Sequence, residues 1–159
     1  MTRTLSESLE DYLEAIYHIV SAKQAARATD ISDRMGVNRS SVTGALRALA
    51  DRGLVNYAPY DIITLTPVGQ AAAEDIVHRH EVLRRFFVSV LGLPEDVADE
   101  AACGMEHHIG KLVQRRLRYL AQFIASCPHL QKDQWTASFL GFCEEREHAL
   151  ADETDADGQ

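Results

Sequence analysis

The chain has 159 residues, 46% of them apolar and 25% charged, with 16 Lys and Arg against 24 Asp and Glu for a formal charge of −8. That is the composition of a soluble globular protein with room for one sizeable core or two small domains. No apolar run reaches the roughly 18 residues of a membrane span and the N-terminus lacks a signal-peptide stretch, so a cytoplasmic protein without a membrane partner is expected. The three cysteines, Cys103, Cys127 and Cys143, are too few and odd in number for a disulfide framework, and read better as thiols or metal ligands.

In chain order, Leu9, Leu13, Ile16, Tyr17 and Val20 recur at intervals of three and four, which predicts an amphipathic first helix capped by Ser6 or Ser8. Thr29 is the expected N-cap of a short helix over 30–35, stopped by Gly36. A second short helix starts at about Arg39 or Ser40 and ends at Arg52-Gly53, so the two helices meet at Gly36-Val37-Asn38, a helix-turn-helix signature. The runs 54–57 and 62–66, rich in β-formers, flank Ala58-Pro59-Tyr60-Asp61 and predict a hairpin, which after a helix-turn-helix is a wing. Pro67 suits the first turn of a long helix to about Leu91, and Gly92-Leu93-Pro94 breaks it. Pro94 opens a helix through His108, and helices over 111–125 and 135–149 follow. The acidic stretch from Asp152 is expected to be frayed or disordered. The expected class is therefore mainly α, with an N-terminal winged helix-turn-helix domain over 1–70, a C-terminal helical domain over 71–150 and an acidic tail over 151–159.

The distribution of charge matters more than its sum. Residues 21–57 hold six Lys and Arg against three Asp, whereas 144–159 hold one Arg against seven acidic residues. The second short helix is basic and polar on one side. Val42, Leu46 and Leu49 face the core, and Asn38, Arg39, Ser40, Ser41, Thr43, Gly44 and Arg47 lie opposite. Short hydrogen-bonding side chains near a helix N-terminus suit base edges in a major groove, and the two arginines suit phosphates or guanine. Gly44 and Ala45 keep the surface low, and Tyr60 at the hairpin tip is a candidate backbone or minor-groove contact. A polar face alone is more often merely solvated; here the short helix, Gly turn, basic bias and hairpin agree on double-stranded DNA.

A second constellation is Cys103-Gly104-Met105-Glu106-His107-His108. Cys103, Glu106 and His107, at i, i+3 and i+4 of a predicted helix, share a face. Thiolate, carboxylate and imidazole together suit a first-row transition metal. Three ligands from one helix rarely complete a site, but Asp11 and Glu14, i and i+3 on the first helix, and His80 on the long helix bring the potential ligands to six. Each has a bland alternative: a solvated carboxylate, a small core cysteine, a satisfied histidine.

These runs resemble the diphtheria-toxin-repressor/manganese-transport-regulator family of metal-dependent bacterial repressors over about Ser8 to Leu120. The likeness is carried by Ser8-Leu9-Glu10-Asp11-Tyr12-Leu13-Glu14-Ala15-Ile16-Tyr17, Ser40-Ser41-Val42-Thr43, Leu65-Thr66-Pro67-Val68-Gly69, Arg79-His80-Glu81 and Glu106-His107-His108. It implies a homodimer in which each winged helix reads half of a palindromic operator, with the C-terminal helices as dimerisation domain. It implies metal ligation by Asp11, Glu14, His80, Glu106 and His107 as in the manganese-sensing branch, with Cys103 where that branch has a glutamate and the iron-sensing branch a cysteine. Asp11 stands where the iron branch has a methionine, so the ligand set is a hybrid. Arg84 stands where some iron sensors place a glutamate of an ancillary site, which puts that second site in doubt; the third, SH3-like domain of the iron sensors is expected to be absent.

The implied function is repression controlling metal-ion homeostasis, dependent on Fe(II) or Mn(II); the thiolate leaves Zn(II) or Co(II) possible. Without metal, Asp11, Glu14 and Glu106 would crowd like charges; a cation neutralises them and couples to DNA binding by roughly 1–3 kcal/mol. One competing reading is a redox-sensing winged-helix regulator working through Cys127 and Cys143. A metalloenzyme is another, but there is no HExxH motif, phosphate loop or nucleophile triad to support it, so no enzymatic activity is expected.

Overall fold

A computed structural model of the chain describes residues 5–58, 61–126 and 132–156. The chain divides into two compact units, Met1–His78 and Arg79–Gln159.

The first unit opens with α1 (Glu7–Lys23), which starts after Ser6 in extended backbone. Its buried side is Tyr12, Leu13, Ala15, Ile16 and Ile19, with Leu9, Tyr17 and Val20 only partly covered, so the helix is turned slightly from the expected stripe. α2 (Ala28–Met35) begins earlier than expected, and Arg27 rather than Thr29 holds the N-cap position. The local reason is Asp30, whose Oδ2 accepts the Arg27 backbone N–H at 2.9 Å while Oδ1 takes Lys23 Nζ at 2.9 Å. A carboxylate in the first turn satisfies an amide that the helix itself leaves unbonded. Gly36, at φ 65°, makes the turn into α3 (Arg39–Ala50).

At the other end of α3, Gly53 N–H bonds Ala50 O at 2.8 Å and Leu54 N–H bonds Leu49 O at 3.0 Å, with Gly53 at φ 69°. That is a Schellman termination. It delivers the chain into β1 (Val55–Asn56), antiparallel to β2 (Thr64–Leu65) with Val55 opposite Leu65 and Asn56 opposite Thr64. A third segment joins the wing: Ala26 and Ile63 exchange both backbone hydrogen bonds, at 2.9 and 2.7 Å. Tyr60 lies outside the described residues.

α4 (Pro67–Ser89) follows directly. Thr66 Oγ1 accepts the Gly69 N–H at 3.0 Å and donates to Gly53 O at 2.6 Å, so one hydroxyl caps α4 and ties it to the turn that ends α3. The first core gathers Leu13, Ile16, Ile31, Val42, Leu46, Leu49 and Ile63, with Ala73 and Ile76 from α4.

The second unit takes the remainder of α4 with α5 (Glu95–Met105), α6 (Lys111–Ser126) and α7 (Lys132–Ala156). Its core is small: Leu83 and Phe87 against Ala98 and Ala102, with partly buried neighbours such as Phe86, Leu91 and Leu117. α5 stops at Met105 rather than running through His108; Glu106, His107 and His108 form a turn. α7 extends helically to Ala156, into the stretch expected to be frayed or disordered. Cys127 and Pro128 lie outside the described residues. No helix among the described residues is long and apolar enough to cross a membrane.

Candidate metal centre and nucleic-acid interface

Helix rotation decides the geometry of the second unit. The stripe of α5 that faces α4 is Ala98, Ala102 and then Glu106, spaced four apart, and all three are fully buried. Cys103 is one residue, about 100°, off that stripe and is exposed. Of the expected trio, Glu106 continues the buried stripe in helical backbone, and Cys103 lies toward solvent.

Burying Glu106 would be costly without partners. Its Oε2 lies 2.7 Å from His80 Nδ1 on α4. Its backbone carbonyl accepts from Arg79 Nη1 at 3.0 Å, a cation at a helix C-terminus. Its Oε1 is fully enclosed and has no hydrogen-bond partner; His107 Nε2 lies 3.6 Å from it. His80 is held on its far side as well, with Nε2 3.1 Å from Asp99 Oδ1. The hydrogen bond to Glu106, helped by Asp99 and opposed by burial, raises the His80 pKa from 6.5 to about 9.

A buried carboxylate oxygen without a donor, flanked by two imidazoles, is the donor chemistry of a divalent transition-metal site. Leaving such an acceptor unsatisfied costs about 1–3 kcal/mol, and more when charged; a cation removes that cost. Among the described residues no three His, Cys, Asp or Glu side chains are placed to hold one ion together; the two imidazoles reach different oxygens of Glu106. Asp11 and Glu14 are half-buried on α1, in the first unit, and Glu14 Oε1 is 3.5 Å from His18 Nε2. Two residues of this centre, Arg79 and Asp99, were not among the candidates. Arg79 stands in the Arg79-His80-Glu81 run, but nothing local in the sequence points Asp99 at His80.

The first unit presents α3 with Val42, Ala45, Leu46 and Leu49 buried, and Arg39, Ser40, Ser41, Gly44 and Arg47 exposed. Asn38 is the N-cap. Its Oδ1 accepts the Ser41 N–H at 2.9 Å and the Ser40 and Ser41 hydroxyls at 2.5 and 3.0 Å, so that carbonyl is committed to the helix end. Thr43 Oγ1 donates back to Arg39 O at 2.9 Å. A Cβ at Gly44 would meet nothing within 4 Å, so no internal packing requires glycine there. An open concavity of about 690 Å³ lies beside α3, lined by Arg27, Arg39, Thr43, Arg47 and Tyr57 among others. Arg27 and Tyr57 reach this face from the α2 N-cap and the wing, and were not among the candidates.

The family profile described as the iron dependent repressor, N-terminal DNA binding domain, matches residues 4–62. The one described as the iron dependent repressor, metal binding and dimerisation domain, matches 66–134. An uncharacterised HTH-type transcriptional regulator of Methanocaldococcus jannaschii is 36% identical over 115 residues, covering 72% of this chain and 92% of that protein. The HTH-type transcriptional regulator MntR of Lysinibacillus sphaericus is 34% identical over 125 residues, covering 79% and 89%. Among solved structures, IdeR of T. acidophilum matches with a TM-score of 0.64 at 28% identity, covering 74% of this chain and 55% of that one. A manganese-dependent transcriptional repressor in complex with manganese matches at 0.62 and 29%, covering 72% and 53%. The chain thus spans just over half the length of these solved structures.

Proposed function

Because this chain belongs to the iron-dependent repressor family of metal-dependent DNA-binding transcriptional regulators, we propose that it represses genes of metal-ion homeostasis when Fe(II) or Mn(II) occupies a centre built on Glu106. The observation that carries this reading is the fully buried Glu106 carboxylate, with one oxygen on His80 and the other without a hydrogen-bond donor. His80, Glu106 and His107 are the ligands the geometry supports. Asp11, Glu14 and Cys103 are proposed as ligands on the sequence argument. A bound divalent ion supplies positive charge and a template for its ligands. Glu106 offers Oε1, Arg79 holds the Glu106 carbonyl, and His80 yields the proton on Nδ1. Hard oxygen donors favour Fe(II) or Mn(II), and the thiolate of Cys103 tilts toward Fe(II), Co(II) or Zn(II).

The DNA partner is a palindromic operator read by two copies of the chain. α3 enters the major groove with Arg39, Thr43, Gly44 and Arg47 as the reading residues, and Arg27 and Tyr57 beside them on the backbone. Ser40 and Ser41 contribute hydroxyls once these turn from Asn38, whose amide nitrogen remains a donor; Tyr60 is kept as a wing-tip contact. The homodimer is supported by α6, whose Leu112, Val113, Tyr119, Leu120 and Phe123 are exposed at near-heptad spacing. Regulation in the cytoplasm, without catalysis, belongs to the same proposal. Of the competing readings, the redox sensor rests on Cys127, outside the described residues, and on half-buried Cys143; no observation favours a metalloenzyme.

The test is operator binding by fluorescence anisotropy under anaerobic conditions, with Mn(II), Fe(II) or Zn(II) and with chelator. Glu106→Ala should abolish the metal-dependent binding and leave a folded dimer. Undiminished metal-dependent binding by that variant would refute the site, and tight binding in chelator would refute metal dependence.

A further inference from the structure

We infer that Asp99 is a positioning residue for the metal centre, acting through His80, and that Arg84 holds Asp99 in place. The inference rests on the reading of His80 as a metal ligand.

An imidazole has two polar atoms, and both of His80's are engaged by α5 side: Nδ1 lies 2.7 Å from Glu106 Oε2 and Nε2 lies 3.1 Å from Asp99 Oδ1. Together these fix the plane and the facing of the ring. A ligating histidine uses one nitrogen and donates the N–H of the other, commonly to a carboxylate, which sets the tautomer and raises the basicity of the ligating atom. Here the nitrogen turned to the buried carboxylate is Nδ1, so Nε2–H belongs to Asp99.

Asp99 alone would orient poorly. Its side chain is 61% exposed, and a surface aspartate samples several rotamers. Arg84 restrains it. The Arg84 Nε is 3.6 Å from Asp99 Oδ1, and its Nη2 donates to Glu95 Oε2 at 2.9 Å. The four residues form two rungs between two helices. His80 and Arg84 are four apart on α4, Asp99 and Glu95 four apart on α5, and each pair spans the gap. Exposed ion pairs add little stability singly, but this arrangement restricts the one carboxylate that touches His80. If the rungs only tied α4 to α5, their loss would change stability and leave the His80 ring and the metal affinity alone.

The test uses the full chain as Asp99→Ala, Asp99→Asn, Arg84→Met and His80→Ala. Mn(II) affinity is read by competition with a fluorescent chelator, and the His80 ring ¹⁵N signals are read by NMR in the Zn(II)-loaded protein. Asp99→Ala should weaken Mn(II) about tenfold, the low end for a residue supporting a ligand, and should broaden the Nε2–H signal by solvent exchange. Asp99→Asn retains an acceptor and should recover most of the affinity, and Arg84→Met should fall between. Mn(II) affinity within twofold of wild type in Asp99→Ala, with His80→Ala defective, overturns the inference and spares the metal centre. Unchanged affinity in His80→Ala overturns the centre and the inference with it. Should Asp99→Ala fail to fold, Arg84→Met indistinguishable from wild type in both readouts overturns the inference.

Discussion

Gly44 and Gly69 both lie in helices, and the same substitution, glycine to alanine, should move them in opposite directions. At Gly44 a Cβ meets nothing within 4 Å, so Gly44→Ala collects the helix-propensity difference of about 1 kcal/mol with no steric cost. At Gly69 a Cβ would stand 1.8 Å from Leu54 O and 2.7 Å from Leu54 C, both main-chain atoms that no rotamer change can move. Relief requires the start of α4 and the β1 approach to separate by roughly 1.5 Å, given that carbon and oxygen settle at about 3.3 Å or more. That shift would break the Thr66 N–H bond to Leu54 O, now 3.0 Å. Overpacking costs typically 1–3 kcal/mol and a lost hydrogen bond about 1 kcal/mol; against a propensity gain of about 1 kcal/mol the net loss should be about 1–3 kcal/mol. Urea melts of the metal-free variants, followed by far-ultraviolet circular dichroism, measure both. Gly44→Ala should unfold later than wild type, Gly69→Ala well before it. A Gly69→Ala variant as stable as wild type would refute the steric argument, and a destabilised Gly44→Ala would refute the openness of that face. Gly44→Ala also probes function: if the bare surface admits the groove floor, operator affinity should fall about tenfold although the fold is firmer, which is 1.4 kcal/mol.

Four further outcomes are expected. His80 has a folded-state pKa raised from 6.5 to about 9 by its bond to Glu106, so its stabilising contribution in the metal-free protein is present below pH 6.5 and lost as pH rises through 9; melts across that window should show the decline, and His80→Gln should flatten it. The same proton must leave Nδ1 before an ion can take it, so apparent Mn(II) affinity should rise with pH up to about 9, which titration calorimetry in buffers of different ionisation enthalpy would register as proton release. Phe123→Glu, on the exposed face of α6, should give a helical monomer in sedimentation with collapsed operator affinity; a persisting dimer would move the interface elsewhere. Arg27→Ala should weaken operator and nonspecific DNA alike and lower the slope of log affinity against log salt by about one, whereas a sequence-selective loss would make Arg27 a base reader.

The readily legible features were those whose causes lie within a few residues. Gly36 and Gly53 end helices because they adopt φ of 65° and 69°, and Pro67 opens α4; the Asn38 cap of α3 is as local, a carbonyl three residues from its target amide, although Asn38 was expected as a DNA contact and not as a cap. Such signals place a helix-turn-helix and its wing from sequence, and the apolar spacing of α1 and α3 shows which sides go inward. The rotation of α5 has no such local cause. Spacing alone puts Cys103 and Glu106 on one face; packing of Ala98 and Ala102 against Leu83 and Phe87 turns the carboxylate in and the thiol out. The Ala26–Ile63 bridge joins segments 37 residues apart, and Arg79 and Asp99 meet Glu106 and His80 only because α4 and α5 lie side by side. Residue types and their local order thus determined a helix-turn-helix with its wing and a set of candidate metal-binding side chains. Which carboxylate is buried, which oxygen of it lacks a donor and which neighbours hold the imidazole were decided by the docking of helices, since burial and hydrogen-bond satisfaction are properties of contacts between segments distant in the chain.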